Sequence, residues 1–336
     1  MINLAVVGYG YWGPNLVRNF LQLPDTHLSA VCDHDPERLN RIQKQYPGIK
    51  VTSSFSELLN NSLIDAVAIV TPATTHFSLV KEALLSGKHV LVEKPFTLTS
   101  EDARELVALA EKKKCTLMVG HIMLYHPAVQ KLKQSIRGGE LGEIYYINST
   151  RVNLGEVRGD KNVLWALAPH DVSLALYLLD LEPEKVLTYG ASYRQPPIED
   201  VVFLLLQFPG QKLVHIHLSL LNSHKIRKLT VVGSEKVAVL DDVEPQEKLK
   251  IYDKGITTKT LNSITDPNSR KLGDIYIPKV DRTEPLRAEC QHFIECLKTG
   301  KKPLTDGHSA LKVVQILEAA EKSMKLNGQA ITLEKE

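Results

Sequence analysis

Short apolar runs alternate with amphipathic stretches along the first third of the chain. The apolar runs are INLAVV (2–7), HLSAVCD (27–33), KVTS (50–53), DAVAIVTP (65–72), HVLVEKP (89–95) and TLMVGH (116–121). Between them lie PNLVRNFLQL, PERLNRIQKQY, SFSELLNN, HFSLVKEALLSG and SEDARELVALAEKK, in which apolar residues recur at helical spacing. Strands that alternate with helices predict a parallel, doubly wound α/β sheet, because each helix returns the chain to the same sheet end. From residue 145 the pattern changes to strands of period two: IYYINSTRV, KVLTYGASY, DVVFLLLQF, KLVHIHLSLL, RKLTVVG and KVAVLDD. Turns such as FPGQK and VGSEK contain glycine and suit antiparallel pairing, so an α+β domain follows. The polar stretch 253–282, punctuated by glycine and proline, reads as a long excursion, and helices at about 284–298 and 307–326 then pack back. The division expected is a nucleotide-binding domain over 1–121 and a substrate-binding and oligomerisation domain over 122–336.

Length and composition fit two soluble domains: 336 residues, 43% apolar, 24% charged, formal net charge +2. EKKKC at 111–115 is the densest basic cluster and reads as a solvated helix end, so nucleic acid is not an expected partner. MINLAVVGYG has no basic n-region or cleavage site, and no apolar run is long enough to span a bilayer. A cytoplasmic protein is expected. Cys32, Cys115, Cys290 and Cys296 are too sparse for a disulfide framework and read as reduced thiols. Cys290, His292 and Cys296 resemble a metal site on paper, but only the last two share a helical face, so ordinary helix packing is favoured and no metal is expected. His215 and His217 alternate within a strand and point to one face, where sheet packing is again favoured over a metal pair.

Chemistry concentrates at strand ends. INLAVV runs into Gly8, Gly10 and Gly13 with the G-x-G-x-x-G spacing, which also places Tyr11 and Trp12 in the turn. The glycines serve a tight turn, close approach of backbone to a pyrophosphate, and close packing of the next helix. That helix has Pro14 in its first turn and presents its positive dipole end to the phosphates. The second strand ends at Asp33, 20 residues beyond Gly13, where a carboxylate can accept both hydroxyls of an adenosine ribose. No arginine follows it directly, so a 2′-phosphate would meet repulsion, and NAD is favoured over NADP. Two further strand ends, TPATTH (Thr71, Pro72 and His76) and EKP (Glu93, Lys94, Pro95), fall where ligands bind in open sheets. Proline after Lys94 forces an extended approach to the crevice and is compatible with a cis bond. His121 directly follows a strand end and is placed to approach the nicotinamide.

These residues resemble a known family, the glucose-fructose oxidoreductase, inositol dehydrogenase and MocA group. The resemblance rests on VVGYGYWG, on TPATTH followed by EALLSGKHVLVEKP, and on LAPHD at 167–171. It implies a second domain with a large, mainly antiparallel sheet, hydride transfer on a sugar or polyol, and a functional lysine at Lys94. GYGYWGPNLVRNF, GHIMLYHPAV, GELGEIYYI, WALAPHD and EPLRAECQHFIECLKTGKKPLTDG are similar to members found with polysaccharide and nucleotide-sugar biosynthesis. Those act at C3 of UDP-N-acetylglucosamine or its uronic acid.

His170 then acquires a role. A helix that starts near Leu164 and bends at Pro169, or starts at Pro169 itself, puts His170 close to a helix N-terminus. The dipole there favours neutral imidazole, a base for the hydroxyl proton. Lys94 can hydrogen-bond the same oxygen as it gains alkoxide character. Tyr125, Arg151 and Asn153 are placed to line the crevice, with Arg151 able to pair with a carboxylate or diphosphate. The family often carries an aspartate four residues before this histidine; here the position is Ala166. Asp171 is a poor substitute, since adjacent helical residues do not face one another. Three readings follow: a nucleotide-sugar dehydrogenase, the same chemistry on a free sugar or inositol, and an NAD-binding sensor or regulator with weak or no turnover. The second domain's sheet has more apolar face than one helix layer covers, so a homodimer or homotetramer through it is expected.

Overall fold

The computed structural model describes residues 1–155, 162–253, 255–256, 270–271 and 273–334. Half of the excursion expected over 253–282 lies outside the described residues. The chain packs as two compact units, Met1–Tyr125 with Thr283–Gln315, and His126–Arg282 with Ile316–Glu336.

In the first unit, β1 (Ile2–Val7), β2 (Thr26–Cys32), β3 (Lys50–Thr52), β4 (Ala66–Ile69), β5 (His89–Glu93) and β6 (Leu117–Gly120) form one sheet in the order β3-β2-β1-β4-β5-β6. Every pairing is parallel. The helices between them are α1 (Gly13–Leu21), α2 (Pro36–Gln45), α3 (Phe55–Asn60), α4 (His76–Leu85) and α5 (Ser100–Lys113). Strand order reverses between β1 and β4, and open α/β sheets bind their ligands beyond the carboxyl ends at such a switch. The central strands are apolar on both faces because helices cover both: β4 is buried throughout and Leu4 to Val7 of β1 likewise. Several helices start where the sequence supplies a cap. Asp35 accepts the N–H groups of Glu37 and Arg38 before α2, and Thr99 accepts that of Asp102 before α5.

The packing boundary departs from the expected single cut after residue 121. Residues 283–315, assigned by sequence to the second domain, cluster with the parallel sheet. Helix α8 (Pro285–Thr299) packs on α1, on β1 and on the turn Ile122–Tyr125. Arg18 of α1 donates twice to Glu284 at the start of α8, at 2.6 and 3.0 Å. Val119 of β6 donates to the Thr305 carbonyl at 2.8 Å. Amphipathic periodicity reveals such a helix but carries no information about which core its apolar face joins.

The second unit holds the larger sheet. Its strands are β7 (Ile144–Leu154), β8 (Lys185–Ala191), β9 (Val201–Gln207), β10 (Leu213–Ser219), β11 (Leu221–Gly233), β12 (Val237–Asp241) and β13 (Leu249–Tyr252), with short β16 (Ile275–Tyr276) and β17 (Ile331–Thr332) at its edges. The order is β16-β13-β12-β11-β7-β10-β9-β8-β17. Pairing is antiparallel except between β7 and β10, so the sheet is mixed and mainly antiparallel. A separate ribbon joins β14 (Gly255–Ile256) to β15 (Arg270–Lys271). Helix α6 (Pro127–Arg137) was not foreseen; His126 caps it by accepting the N–H of Ala128. Lys133 of α6 is buried and donates to the Leu178 carbonyl at 3.1 Å, with Asp180 2.6 Å away. Helix α9 (Gly307–Lys325) follows α8.

Helix α7 (Val163–Leu179) packs on β7, β9 and β10. Asn162 caps it by accepting the Trp165 N–H at 3.2 Å, and Pro169 lies within it. His170 is therefore the eighth helical residue, two turns in, rather than close to the N-terminus. The helix dipole acts within its first turn, so it does not set the charge of this imidazole. The earlier start has a plain cause: an asparagine cap before an apolar run outweighs the proline, which costs one hydrogen bond, to the Trp165 carbonyl.

Candidate active site

The glycine turn has the shape the spacing predicts. Gly8 has φ +100°, and a Cβ there would lie 2.9 Å from the Val70 carbonyl oxygen. A Cβ on Gly13 would lie 2.4 Å from the Gly8 carbonyl oxygen, so neither position admits another residue. At Gly10 the nearest atom to such a Cβ is the Arg38 guanidinium at 3.8 Å. Backbone crowding at Gly8 and Gly13 beside open space at Gly10 is the cradle a pyrophosphate needs, at the N-terminus of α1. Tyr11 is largely exposed and Trp12 half-buried on this turn.

Asp33 is buried at the end of β2. Its carboxylate accepts the N–H of Tyr9 at 2.5 Å and that of Asp35 at 2.9 Å, with Arg38 3.4 Å away. Burial would raise its pKa, but these N–H groups and Arg38 outweigh it and hold the group below its ordinary value. An ionised acceptor thus stands where an adenosine ribose binds. Arg38, five residues on, is already engaged with Asp33 and Asp35.

The other strand ends are tied together. His76 Nδ1 lies 2.8 Å from the Pro95 carbonyl oxygen and its Nε2 lies 2.9 Å from that of Thr71. His76 is corrected from a cofactor contact to a strut, since both ring nitrogens face protein carbonyls and the ring is buried. Thr71 faces Thr75 at 2.7 Å, and Pro72 is exposed. The Lys94–Pro95 peptide is cis. Glu93 accepts the Lys94 backbone N–H at 3.2 Å and the Trp12 indole N–H. Its carboxyl lies against Gly120, where a Cβ would meet it at 3.1 Å. Burial pushes the Glu93 carboxyl up to about 7 against the pull of Lys94. His121 is buried, with neither ring nitrogen hydrogen-bonded among the described residues. Burial and then Lys94 push it down to about 4, so it is neutral imidazole at pH 7.

Two expected substrate residues are committed elsewhere. Tyr125 is buried, and its hydroxyl lies 3.1 Å from Thr305 Oγ1 and 3.9 Å from the Met118 sulfur. It belongs to the core beneath α8, where its phenol is held neutral by burial. Arg151 is buried on β7 and paired with Asp171, which also accepts the Ser149 hydroxyl at 2.7 Å. The Nε–Nη2 edge of this guanidinium is taken up by Asp171 rather than presented to a substrate diphosphate. Asn153, half-buried near the end of β7, donates to the Leu154 carbonyl at 3.1 Å. His170 and Ala166 are both half-buried on α7, one turn apart.

The histidine groups considered for metals are occupied by protein. His292 Nε2 accepts the Leu304 N–H at 3.0 Å and lies 3.5 Å from Cys296 Sγ. His215 Nδ1 lies 2.7 Å from Asn148 Oδ1, and the rings of His215 and His217 stack on Phe203. No cluster of three or more His, Cys, Asp or Glu able to hold a metal occurs among the described residues.

Sequence reasoning missed Glu289. It lies fully buried on α8 amid Leu286, Cys290, Phe293 and Ile294. A glutamate at a core position of an apolar helical stripe was the available signal.

Residues 2–121 match the description "Oxidoreductase family, NAD-binding Rossmann fold", and residues 133–333 match its C-terminal alpha/beta domain. The chain belongs to the Gfo/Idh/MocA oxidoreductase family. It is 26% identical to a UDP-N-acetylglucosamine 3-dehydrogenase of Acidithiobacillus ferrooxidans, covering 92% of this chain and 93% of that one. It is 28% identical to the NAD-dependent scyllo-inositol 2-dehydrogenase of Bacillus subtilis, covering 99% and 96%. The crystal structure of the Acidithiobacillus protein superposes with a TM-score of 0.84 at 23% identity, covering 98% of this chain and 99% of that one. The cradle, the ionised Asp33 and the family match agree on an NAD-binding Rossmann domain. Gly8, Gly10 and Gly13 with the α1 N-terminus would hold the pyrophosphate, and Asp33 the adenosine ribose. No helix among the described residues is long and apolar enough to cross a membrane.

Proposed function

We propose that the protein oxidises a ring hydroxyl, at C3, of a nucleotide-linked sugar such as UDP-N-acetylglucosamine or its uronate. The observation that carries this reading is the similarity to the UDP-N-acetylglucosamine 3-dehydrogenase over nearly the whole of both chains. NAD supplies the hydride acceptor when bound. Oxidation of a secondary alcohol also requires that the hydroxyl proton leave. His170 accepts it in this reading, and a positioned base contributes roughly 10²- to 10⁴-fold. Lys94 holds the same oxygen through a charge-assisted hydrogen bond. Glu93 and His121, beside Lys94 at the ends of β5 and β6, face the nicotinamide end, and Asn153 is a candidate for sugar contact.

NADH formation measured with UDP-N-acetylglucosamine, its uronate, free N-acetylglucosamine and scyllo-inositol tests the substrate. Nucleotide sugars should reduce NAD with the highest kcat/KM, and His170→Asn should lower kcat by about 10²-fold or more. Faster reduction by free inositol would favour the second reading, which the similarity to the Bacillus enzyme supports. Ala166 supports a third reading, an NAD-bound sensor. A sugar nucleotide that binds without any absorbance change in a single turnover would establish it.

The reading includes assembly and compartment. One face of the large sheet carries Tyr146 (β7), Tyr189 (β8), Phe203 (β9) and Leu213 (β10), each exposed by 41% or more. A second copy covering that face would give a homodimer, or a homotetramer with one further interface. Phe203→Glu should then halve the mass measured by light scattering. The four cysteines stand as free thiols, three of them buried, which suits a reducing cytoplasm.

A further inference from the structure

Glu289 fills a place in α8 where packing asks for leucine. It is 0% exposed, and neither carboxyl oxygen has a hydrogen-bond partner among the described residues. A buried polar group left without a partner costs about 1–3 kcal/mol, a cost an apolar side chain of similar size avoids. Stability therefore gives no reason for a carboxyl here, and such groups call for a functional explanation.

Its surroundings supply one. Glu93 at the β5 end acts on Glu289 electrostatically, and Lys94 beside Glu93 acts in turn on Glu93 and on His121 at the β6 end. The following turn contributes Tyr125, whose hydroxyl is bonded to Thr305. Helix α1 contributes Arg18, which is turned to Glu284, and α8 itself contributes Cys290. The glycine turn carries Tyr9, which is buried, and Trp12, whose indole N–H is given to Glu93. Of these groups, Glu93 is the one whose charge acts on the Glu289 carboxyl, and burial is the larger influence. Both raise the pKa of Glu289 well above the usual carboxylate range. Glu93 has donors and the Lys94 charge to favour its ionised form, whereas Glu289 has none. Two carboxyls that differ in this way lose their protons in two separate steps.

We propose that Glu93 and Glu289 form a two-carboxyl proton store beneath the nicotinamide end of the NAD site, releasing protons when the cationic ring is bound and regaining them when the ring is neutral. The proposal rests on the reading that places that ring beside Lys94. The balance closes in one turnover. The carbinol C–H leaves as hydride with its two electrons to NAD+, giving NADH. The hydroxyl proton passes to His170 as the C=O bond forms and from there to solvent. The pair takes up one proton from solvent as the ring loses its positive charge, so ring and carboxyls together keep the same net charge.

Binding measurements test this without turnover. Calorimetric titration in two buffers of different ionisation heat counts the protons exchanged per ligand bound. At about pH 8 Glu93 is mostly ionised already, and proton release on binding NAD+ that disappears on substituting Glu289 is the release of Glu289. NAD+ should release protons there, while NADH and ADP-ribose, which lack the cationic ring, should release almost none. Glu289→Gln should lose most of the release at about pH 8 and keep the release near pH 6.5 that belongs to Glu93. Glu289→Leu, which suits the apolar stripe, repeats the test if the glutamine variant does not fold. Equal release with NAD+ and ADP-ribose in the wild type, or wild-type release at about pH 8 in both variants, overturns the proposal. Loss of turnover with nucleotide sugars while this release persists would instead sink the substrate reading alone.

Discussion

Arg151 on β7 and Asp171 on α7 meet in a buried two-point ion pair, Nε to Oδ2 at 2.6 Å and a terminal nitrogen to Oδ1 at 3.3 Å. The pair fastens α7 to the sheet one residue from His170, and the Ser149 hydroxyl completes the carboxylate's shell. Asp171→Ala would leave the guanidinium buried and uncompensated, a change that costs about 3–5 kcal/mol. The denaturant midpoint should fall accordingly. The double variant Arg151→Met with Asp171→Leu should recover most of the loss, because packing then replaces a pair whose desolvation cost is also gone. A midpoint for Asp171→Ala within experimental error of wild type would refute this account of how α7 is held.

Cofactor choice should turn on Asp33. Its ionised carboxylate, held by the N–H groups of Tyr9 and Asp35, accepts ribose hydroxyls and repels a 2′-phosphate. Asp33→Ser removes that repulsion and leaves Arg38 without its Asp33 partner, available to a phosphate. The ratio of NAD to NADP affinity should fall by at least about 10²-fold, since a close charge pair at the protein surface is worth several kcal/mol at an effective dielectric of about 20. Fluorescence titration with NADH and NADPH reads the ratio directly.

The parallel sheet was legible because most of its strands carry a core of consecutive apolar residues, as in AVAI of β4 and VLV of β5, and amphipathic stretches separate them. The glycine turn and Asp33 were legible because their roles depend on backbone shape and fixed spacing. Arg151 was misread for the opposite reason. An arginine in a strand has the same appearance whether it faces a ligand or a carboxylate twenty residues away, and the pairing with Asp171 exists only in three dimensions. Tyr125 and the placement of α8 failed likewise: the stripe of α8 was evident, but not the surface it covers. Glu289 was detectable in principle, since a lone acid amid Leu286, Phe293 and Ile294 breaks the pattern of its own helix.

Acid stability should report on His121. An exposed histidine titrates near 6.5, whereas burial holds His121 down to about 4. Between those values the unfolded chain binds a proton that the folded protein refuses, so this group makes stability fall as pH drops from about 6.5 to about 4. Its contribution amounts to about 3 kcal/mol across the window. Glu93 acts oppositely: raised from 4.5 to about 7, it makes stability fall as pH rises through that range, and Glu289 adds in the same direction. His121 offsets one of the two carboxyls and leaves the other, so wild-type stability should decline between about pH 4.5 and 6.5 with the slope of about one proton. His121→Phe removes the offset, and its denaturant midpoint should decline about twice as steeply over the same interval. Parallel profiles for the two proteins would show that His121 is not held neutral by the fold.

Ala166 lies one helical turn before His170, and both are half-buried on α7. A carboxylate at that position would share a face with the imidazole, fixing its tautomer and stabilising the imidazolium formed when the hydroxyl proton is taken. If His170 is the base, Ala166→Asp should raise kcat by about tenfold or more while leaving KM within about twofold, because the gain arises only as the proton moves. The acid limb of the kcat profile should shift with it, since a neighbouring carboxylate favours imidazolium and raises the pKa of the histidine. The same substitution on a His170→Asn background should change nothing. A rate increase that survives the loss of His170 would place the base elsewhere, and an unchanged or slower single variant would mean that the carboxylate this helix lacks is not what limits turnover.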